Sequence, residues 1–245
     1  MSTLAKGFAV LGLFGRDRAS LTLSEAAAAT ELSRATARRI LRTLAQLGYV
    51  EQHGRQFSLA PGILNLGFSY LSAQSWIERV RPLMKEASDR FHESCSAAIL
   101  QGSEVVYVAR VPAGRIMSVA ISIGSRLPAF HTAVGRAQLG HLDDEEIWRR
   151  LKSLRFEPYT PSSITDLQAL FDRIRADREQ GFSIVDEELE RGLRAIAVPL
   201  ADRNGQVVAA LNLSTHSTRT TRNEMRDRFL PALRDIASQI SASIA

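Results

Sequence analysis

The sequence predicts an α+β protein made of a small basic helical unit and a larger sheet domain, and three observations carry that reading. Residues 1–62 hold eight basic side chains against four acidic ones, whereas residues 63–245 hold 23 against 22. Apolar residues recur at helical spacing in the first segment, but form strand-like runs interleaved with helical stretches in the second. Pro61-Gly62 interrupts the pattern between the two.

The elements follow in chain order. Leu4, Phe8, Leu11 and Phe14 lie at three- and four-residue spacing and predict an amphipathic core helix from about Leu4 to Phe14. "LTLSEAAAATEL" reads as a short second helix with Ser24 as its N-cap. Ser33 caps a third helix running to about Leu47, which Gly48 is placed to end. "YVEQ" and "QFSL", joined through "HGR", form a hairpin around Gly54. Residues from Ile63 to His92 read as helical, with Pro82 as the interruption. The expected divisions are therefore a first domain over 1–62, a linker helix over 63–78 and a second domain over 79–245.

Beyond the linker, "SAAILQ" and "EVVYVARV" are strands around Gly102-Ser103, and "IMSVAISIGSRLPA" is a third extended segment. "DDEEIWRRL" and "DLQALFDRIRADREQG" are helices, the second capped by Thr165 or Asp166 and closed by Gly181. "FSIVDEE", "LRAIAVPL" and "VVAALNLST" are strands, the last two joined at Asn204-Gly205, and a final amphipathic helix runs from Glu224.

Composition narrows the function classes. The single cysteine, Cys95, leaves no internal disulfide framework and suits a reducing compartment. No run of 18 apolar residues exists, so a cytoplasmic protein without a membrane span is expected. No G-x-S-x-G elbow or glycine-rich phosphate loop is present, and the five histidines show no metal-ligand spacing. The expectation is a protein that is not an enzyme, with no catalytic residue, metal or cofactor.

The third helix carries the clearest chemistry. Ala37, Ile40, Leu41, Leu44 and Leu47 fall on one side, leaving Arg34, Ala35, Thr36, Arg38, Arg39, Arg42 and Thr43 on the other. Small residues between forked cationic donors allow close approach to a DNA major groove, where arginine pairs with guanine edges or phosphates. The short helix and tight turn before Ser33 complete a helix-turn-helix, and the hairpin forms a wing with His53 and Arg55 at its tip. Ser33, Arg34, Ala35, Thr36, Arg38, Arg39, Arg42, Thr43, His53 and Arg55 are the expected contacts to double-stranded DNA.

The segments "LAKGFAVLGLFG", "LTLSEAAAATELSRATARRILRTLAQLGYV" and "FSLAPGILNLGFSYL" resemble the winged helix-turn-helix of the IclR family of bacterial transcriptional regulators. "VYVARVPAGRIMSVAISIGSRLPAFHTAVGRAQL", "VDEELERGLRAIAVPL" and "VVAALNLS" extend the resemblance over essentially the whole chain. It implies a winged helix-turn-helix joined by a linker helix to a GAF-like effector-binding domain. The middle segment is most similar to a subgroup controlling aromatic-acid catabolism through protocatechuate and β-ketoadipate.

The implied effector site comprises the amides of Ala133, Val134 and Gly135, the acidic segment at Asp186-Glu187, and Ala195, Asn212 and Ser214. Arg126, His131 and Arg194 are available as counter-charges for an acid. Ala195 and Asn212 replace the Cys and Ser common in the family, which implies a roomier pocket suited to an aromatic acid. The implied partners are operator DNA, a small organic acid, further copies of the chain as a dimer or tetramer, and RNA polymerase. The resemblance implies an aromatic acid or an intermediate of the β-ketoadipate pathway as effector, and two alternatives stay open: a small 2-oxo acid or sugar acid as effector, or a nucleic-acid-binding module without ligand-regulated transcriptional output.

Overall fold

The computed structural model describes residues 2–15, 17–113, 121–154, 157–242 and 244, and the chain divides into two compact units, residues 1–73 and 74–245. The first unit begins with α1 (Thr3–Leu11), β1 (Ser20–Thr22), α2 (Leu23–Ala29) and α3 (Arg34–Gln46). The hairpin β2 (Val50–His53) and β3 (Gln56–Leu59) follows, and α4 (Leu64–Ala73) comes after a 3-10 turn at Pro61–Ile63. Ser33 caps α3 as expected, its hydroxyl accepting from the Thr36 amide. Gly54 turns the hairpin at φ 62°, a left-handed conformation that a side chain would strain. β1 joins the far edge of the hairpin, giving the antiparallel order β1-β3-β2.

Several expectations are corrected here. The N-cap of α2 is Thr22 rather than Ser24. The Thr22 hydroxyl accepts from the Glu25 amide while the Glu25 carboxylate accepts from the Thr22 amide, a reciprocal box that Ser24 has no acid placed to complete. Leu47 is 61% exposed, because it sits at the C-cap where the chain leaves the helix. Leu4 and Phe8 also face outward. The side of α1 that packs on α3 carries Val10, which joins Leu21, Ala26, Ile40, Leu41, Leu44, Val50 and Phe57 in the core. No residue of α4 is buried, and Leu64, Leu66, Phe68 and Tyr70 are all exposed.

The second unit starts with α5 (Ser75–Phe91). The predicted interruption at Pro82 does not occur. The helical run breaks at Gln74 (φ −100°, ψ 78°), and Pro82 lies inside an unbroken helix. The proline forfeits one backbone hydrogen bond, but burial of Ile77, Val80, Met84 and Ala87 along one face holds the helix together.

Six strands form one antiparallel sheet in the order β6-β5-β4-β9-β8-β7. They are β4 (Ser94–Gln101), β5 (Glu104–Val111), β6 (Arg126–Pro128), β7 (Ser183–Asp186), β8 (Leu193–Ala201) and β9 (Val207–His216). The third extended segment predicted over 116–129 is represented by β6, and its portion within 114–120 lies outside the described residues. Between β6 and β7 come α6 (Ala133–Leu139), α7 (Asp144–Lys152) and α8 (Leu167–Gln180), the last capped by Asp166 and ended by Gly181. The C-terminal helix is capped by Thr221 and starts at Arg222 rather than Glu224, for the reason seen at α2: Thr221 and Glu224 form a second reciprocal box. It comprises α9 (Arg222–Glu224), a π-helical turn over Met225–Phe229, and α10 (Leu230–Ser241).

Strand alternation sends successive side chains to opposite faces. Ala195, Ala197 and Ala210 join one buried cluster with residues of α6, α7 and α8. On the other face, α5 and α10 pack together over the central strands.

Candidate nucleic-acid interface and ligand pocket

In the first unit, packing of Ala37, Ile40, Leu41 and Leu44 inward fixes the rotation of α3 and sends its arginines outward. Arg34, Ala35, Arg38, Arg39, Arg42 and Thr43 are exposed and Thr36 is half-buried. Arg34, Arg38 and Arg42, spaced four residues apart, line a cleft whose other wall is the hairpin, with Gln52, Gly54 and Arg55. Thr22 and Ser24 also line that cleft, and neither was among the expected DNA contacts. Among the described residues no carboxylate lies within ion-pair distance of Arg34, Arg38, Arg39, Arg42 or Arg55. Such a face gains most by meeting an external polyanion. His53 is placed differently from the arginines, 3.3 Å from the Glu51 carboxylate. Ser33 and Thr36 use their hydroxyls in the cap, and Thr43 donates back to the Arg39 carbonyl.

In the second unit the sheet register builds a polar row across three central strands. Arg110 of β5 stands opposite Ser96 of β4, which stands opposite Asn212 of β9. Ser94, Ser214 and Ala195 form the neighbouring row. Above this floor lies a pocket partly open to solvent. Its walls are Tyr107, Ile121, Leu127, Val185, Leu189 and Leu193, and His131, Thr132 and Ala133 close one side.

Arg110 is the cation of this cavity. It is half-buried, and its guanidinium lies only 3.4 and 3.5 Å from the Ser96 and Ser94 hydroxyls. Among the described residues no carboxylate is within ion-pair distance of it. Burial pulls its pKa below the ordinary arginine value, with the Tyr107 phenol opposing, while burial pushes the Tyr107 phenol up to about 12. Asn212 donates to the Ser214 hydroxyl at 2.8 Å.

Behind the cavity sits a buried ion pair. Arg136, fully buried on α6, donates to the Phe130 carbonyl at 2.7 Å and grips the Glu188 carboxylate through both terminal nitrogens. His131 Nδ1 faces Glu188 at 3.9 Å, and Tyr159 meets the imidazole edge-on. Burial alone would raise the Glu188 carboxyl, but the neighbouring His131 ring and the Arg136 guanidinium together hold it below the usual range. Thr160 and Ser163 donate to the Glu187 and Glu188 carbonyls, pinning the loop between β7 and β8.

Of the effector residues expected from the sequence, Ala133, Ala195, Asn212 and Ser214 line the cavity. Val134, Gly135, Asp186 and Arg194 do not. The Gly135 amide is taken by the Thr132 hydroxyl, and a Cβ at Gly135 would overlap the Ala129 backbone, so close packing explains the glycine. Asp186 and Arg194 are spent on each other at 2.7 and 3.0 Å; Arg222 adds to Asp186, and Arg194 also donates to the Ser217 and Thr220 carbonyls. Arg126 is exposed and paired with Glu104 and Gln101. Arg110 is the residue that sequence reasoning missed. Its signal was a lone cation inside the apolar run "VVYVARV". Among the described residues no His, Cys, Asp or Glu cluster could hold a metal, and no helix is long and apolar enough to cross a membrane.

A basic helix facing a wing and a sheet domain enclosing a cavity with a half-buried cation together define a ligand-responsive DNA-binding regulator. The IclR helix-turn-helix domain matches residues 3–54, and the C-terminal domain of the bacterial transcriptional regulator IclR matches residues 68–242. The Pca regulon regulatory protein of Pseudomonas putida is 42% identical over 98% of this chain and 84% of its own length. A Rhodococcus sp. RHA1 protein assigned as a transcriptional regulator has a crystal structure that superposes with a TM-score of 0.86 at 43% identity, covering 98% of this chain and 97% of that one. A double mutant of the PobR inducer-binding domain from Acinetobacter, in complex with 3-hydroxybenzoic acid, superposes at 0.66 and 28% identity over 69% of this chain and 98% of that one. The chain belongs to the IclR family of bacterial transcriptional regulators.

Proposed function

We propose that the protein is a cytoplasmic, homo-oligomeric regulator of aromatic-acid catabolism, without enzymatic activity, whose grip on operator DNA answers an aromatic acid bound over the polar row of the second unit. The observation that carries this reading is Arg110: a half-buried cation under apolar walls, with no carboxylate partner among the described residues. A guanidinium in such surroundings holds a carboxylate with charge-assisted hydrogen bonds, while Tyr107, Leu127, Val185 and Leu193 favour a ring over a sugar acid. The PobR complex with 3-hydroxybenzoic acid supports the same ligand class.

Ala133, Ala195, Asn212 and Ser214 are the further effector contacts in this reading. Arg34, Arg38 and Arg42 enter the major groove, with Ser33, Ala35, Thr36, Arg39 and Thr43 near the phosphates, and Arg55 reaches the backbone from the wing. His53 contributes less, since its Glu51 neighbour repels phosphate. Residues 1–62 form the DNA-binding domain, 63–78 the linker and 79–245 the effector domain. The exposed apolar side chains of α4 and α1 support pairing of copies, and RNA polymerase is a further partner.

Calorimetric titration of the full chain with 4-hydroxybenzoate and 3,4-dihydroxybenzoate tests this reading. Binding to the parent and its loss in Arg110→Gln are expected. Equal binding by the variant would sink the assignment of Arg110.

A further inference from the structure

The aromatic-acid reading counts Asn212 among the effector contacts without assigning the ligand group that its side chain meets. It is 3% exposed, in the centre of the sheet between β4 and β8. Its amide nitrogen is spent on Ser214, and its carbonyl oxygen Oδ1 is buried with no hydrogen-bond partner. Most buried polar atoms are satisfied, so such an exception at a cavity wall calls for a partner. Arg110 cannot serve as that partner while it holds an acid, and it stands two strand positions away across Ser96, roughly 10 Å between backbones. A rigid acid with a second polar group on the far side of a ring can touch both.

We propose that Asn212 makes the cavity selective for acids bearing a hydroxyl group: its carbonyl accepts the hydrogen bond of that hydroxyl while Arg110 holds the carboxylate. This rests on the aromatic-acid reading above and narrows it to hydroxylated rings. A carbonyl accepts and cannot donate. An oxo acid would therefore set two carbonyl oxygens against each other, and an unsubstituted ring would bury Oδ1 with no partner. A site built to pair a hydroxyl discriminates strongly against the analogue that lacks it, because the site's own group is then stranded.

Full-length protein is titrated calorimetrically with benzoate, with 3- and 4-hydroxybenzoate, with 3,4-dihydroxybenzoate, and with 3- and 4-fluorobenzoate as near-isosteric rings without a donor. The hydroxylated acids are expected to bind about tenfold or more tighter than benzoate and the fluoro acids. In Asn212→Ser that preference should shrink to about threefold or less, since the shorter hydroxyl no longer reaches the ring substituent and can turn to a neighbour. Equal affinities for hydroxylated and fluorinated rings in the parent overturn the proposal, as does an undiminished preference in a folded Asn212→Ser protein. Should that variant fail to fold, the parent series decides alone. Failure of every benzoate to bind overturns the aromatic-acid reading with it, whereas equal binding of both sets overturns only the role of Asn212.

Discussion

Replacing Glu188 with alanine tests how much the wall behind the cavity depends on one buried ion pair. Arg136 has no exposed surface, and Glu188 is 6% exposed. Their two-pronged contact ties α6 to the loop between β7 and β8, the two walls that flank the ligand cavity. Removing one partner of such a pair strands the other charge in a low-dielectric site, at a cost of about 3–5 kcal/mol. For a domain of this size each kcal/mol moves the melting temperature by about 2–4 °C, so a drop of about 6–20 °C is expected by calorimetry.

Arg136→Met with Glu188→Leu should recover much of that loss, because no unpaired charge then remains. The pair also sets a pH dependence. Glu188 is held below its ordinary value, so its contribution is fully present above the unfolded-state value of about 4.3 and fades as pH falls through the folded value. The gap between parent and Glu188→Gln should accordingly be flat above about pH 5 and narrow in acid. A melting temperature unchanged in Glu188→Ala, or a double substitution as damaging as the sum of the two single ones, would refute the argument.

Three further outcomes follow from the first unit. Arg38→Ala or Arg42→Ala should weaken operator binding by about 1–3 kcal/mol where the residue reads a base, measured by footprinting titration, with a shallower salt dependence where it meets a phosphate. Ser33→Ala removes the α3 cap and should cost about 1 kcal/mol of stability in denaturant unfolding, with no change expected in the second unit. Phe68→Asp on helix α4, none of whose residues is buried, should lower the oligomeric state seen by light scattering if that helix pairs copies; an unchanged mass would remove α4 from the interface.

The parts of the structure that local chemistry determines were legible in the sequence. The helical period, Ser33 and Gly48 located α3 to within a residue or so, and "EVVYVARV" and "VVAALNLST" declared their strands. What tertiary pairing decides was not. β1 is three residues long and exists only because β3 offers it an edge. Pro82 looked like a helix break, but packing of the neighbouring side chains overrode it. Leu4 and Phe8 have the spacing of a core stripe yet lie outside the core of this chain.

The site divides the same way. The arginine face of α3 follows from periodicity alone, whereas the ligand floor depends on register across β5, β4 and β9. Only that register puts Arg110 in a row with Ser96 and Asn212, and only the β7–β8 hairpin shows that Arg194 is spent on Asp186.

The most direct test of the account measures affinity for an operator duplex, selected from random sequence, by fluorescence anisotropy with and without 4-hydroxybenzoate. The measurement is made on the parent and on Arg110→Gln. A ligand-dependent shift of about five- to 150-fold in the parent, absent in Arg110→Gln, is the predicted result. An identical ligand response in both proteins, or no selected duplex at all, would contradict it.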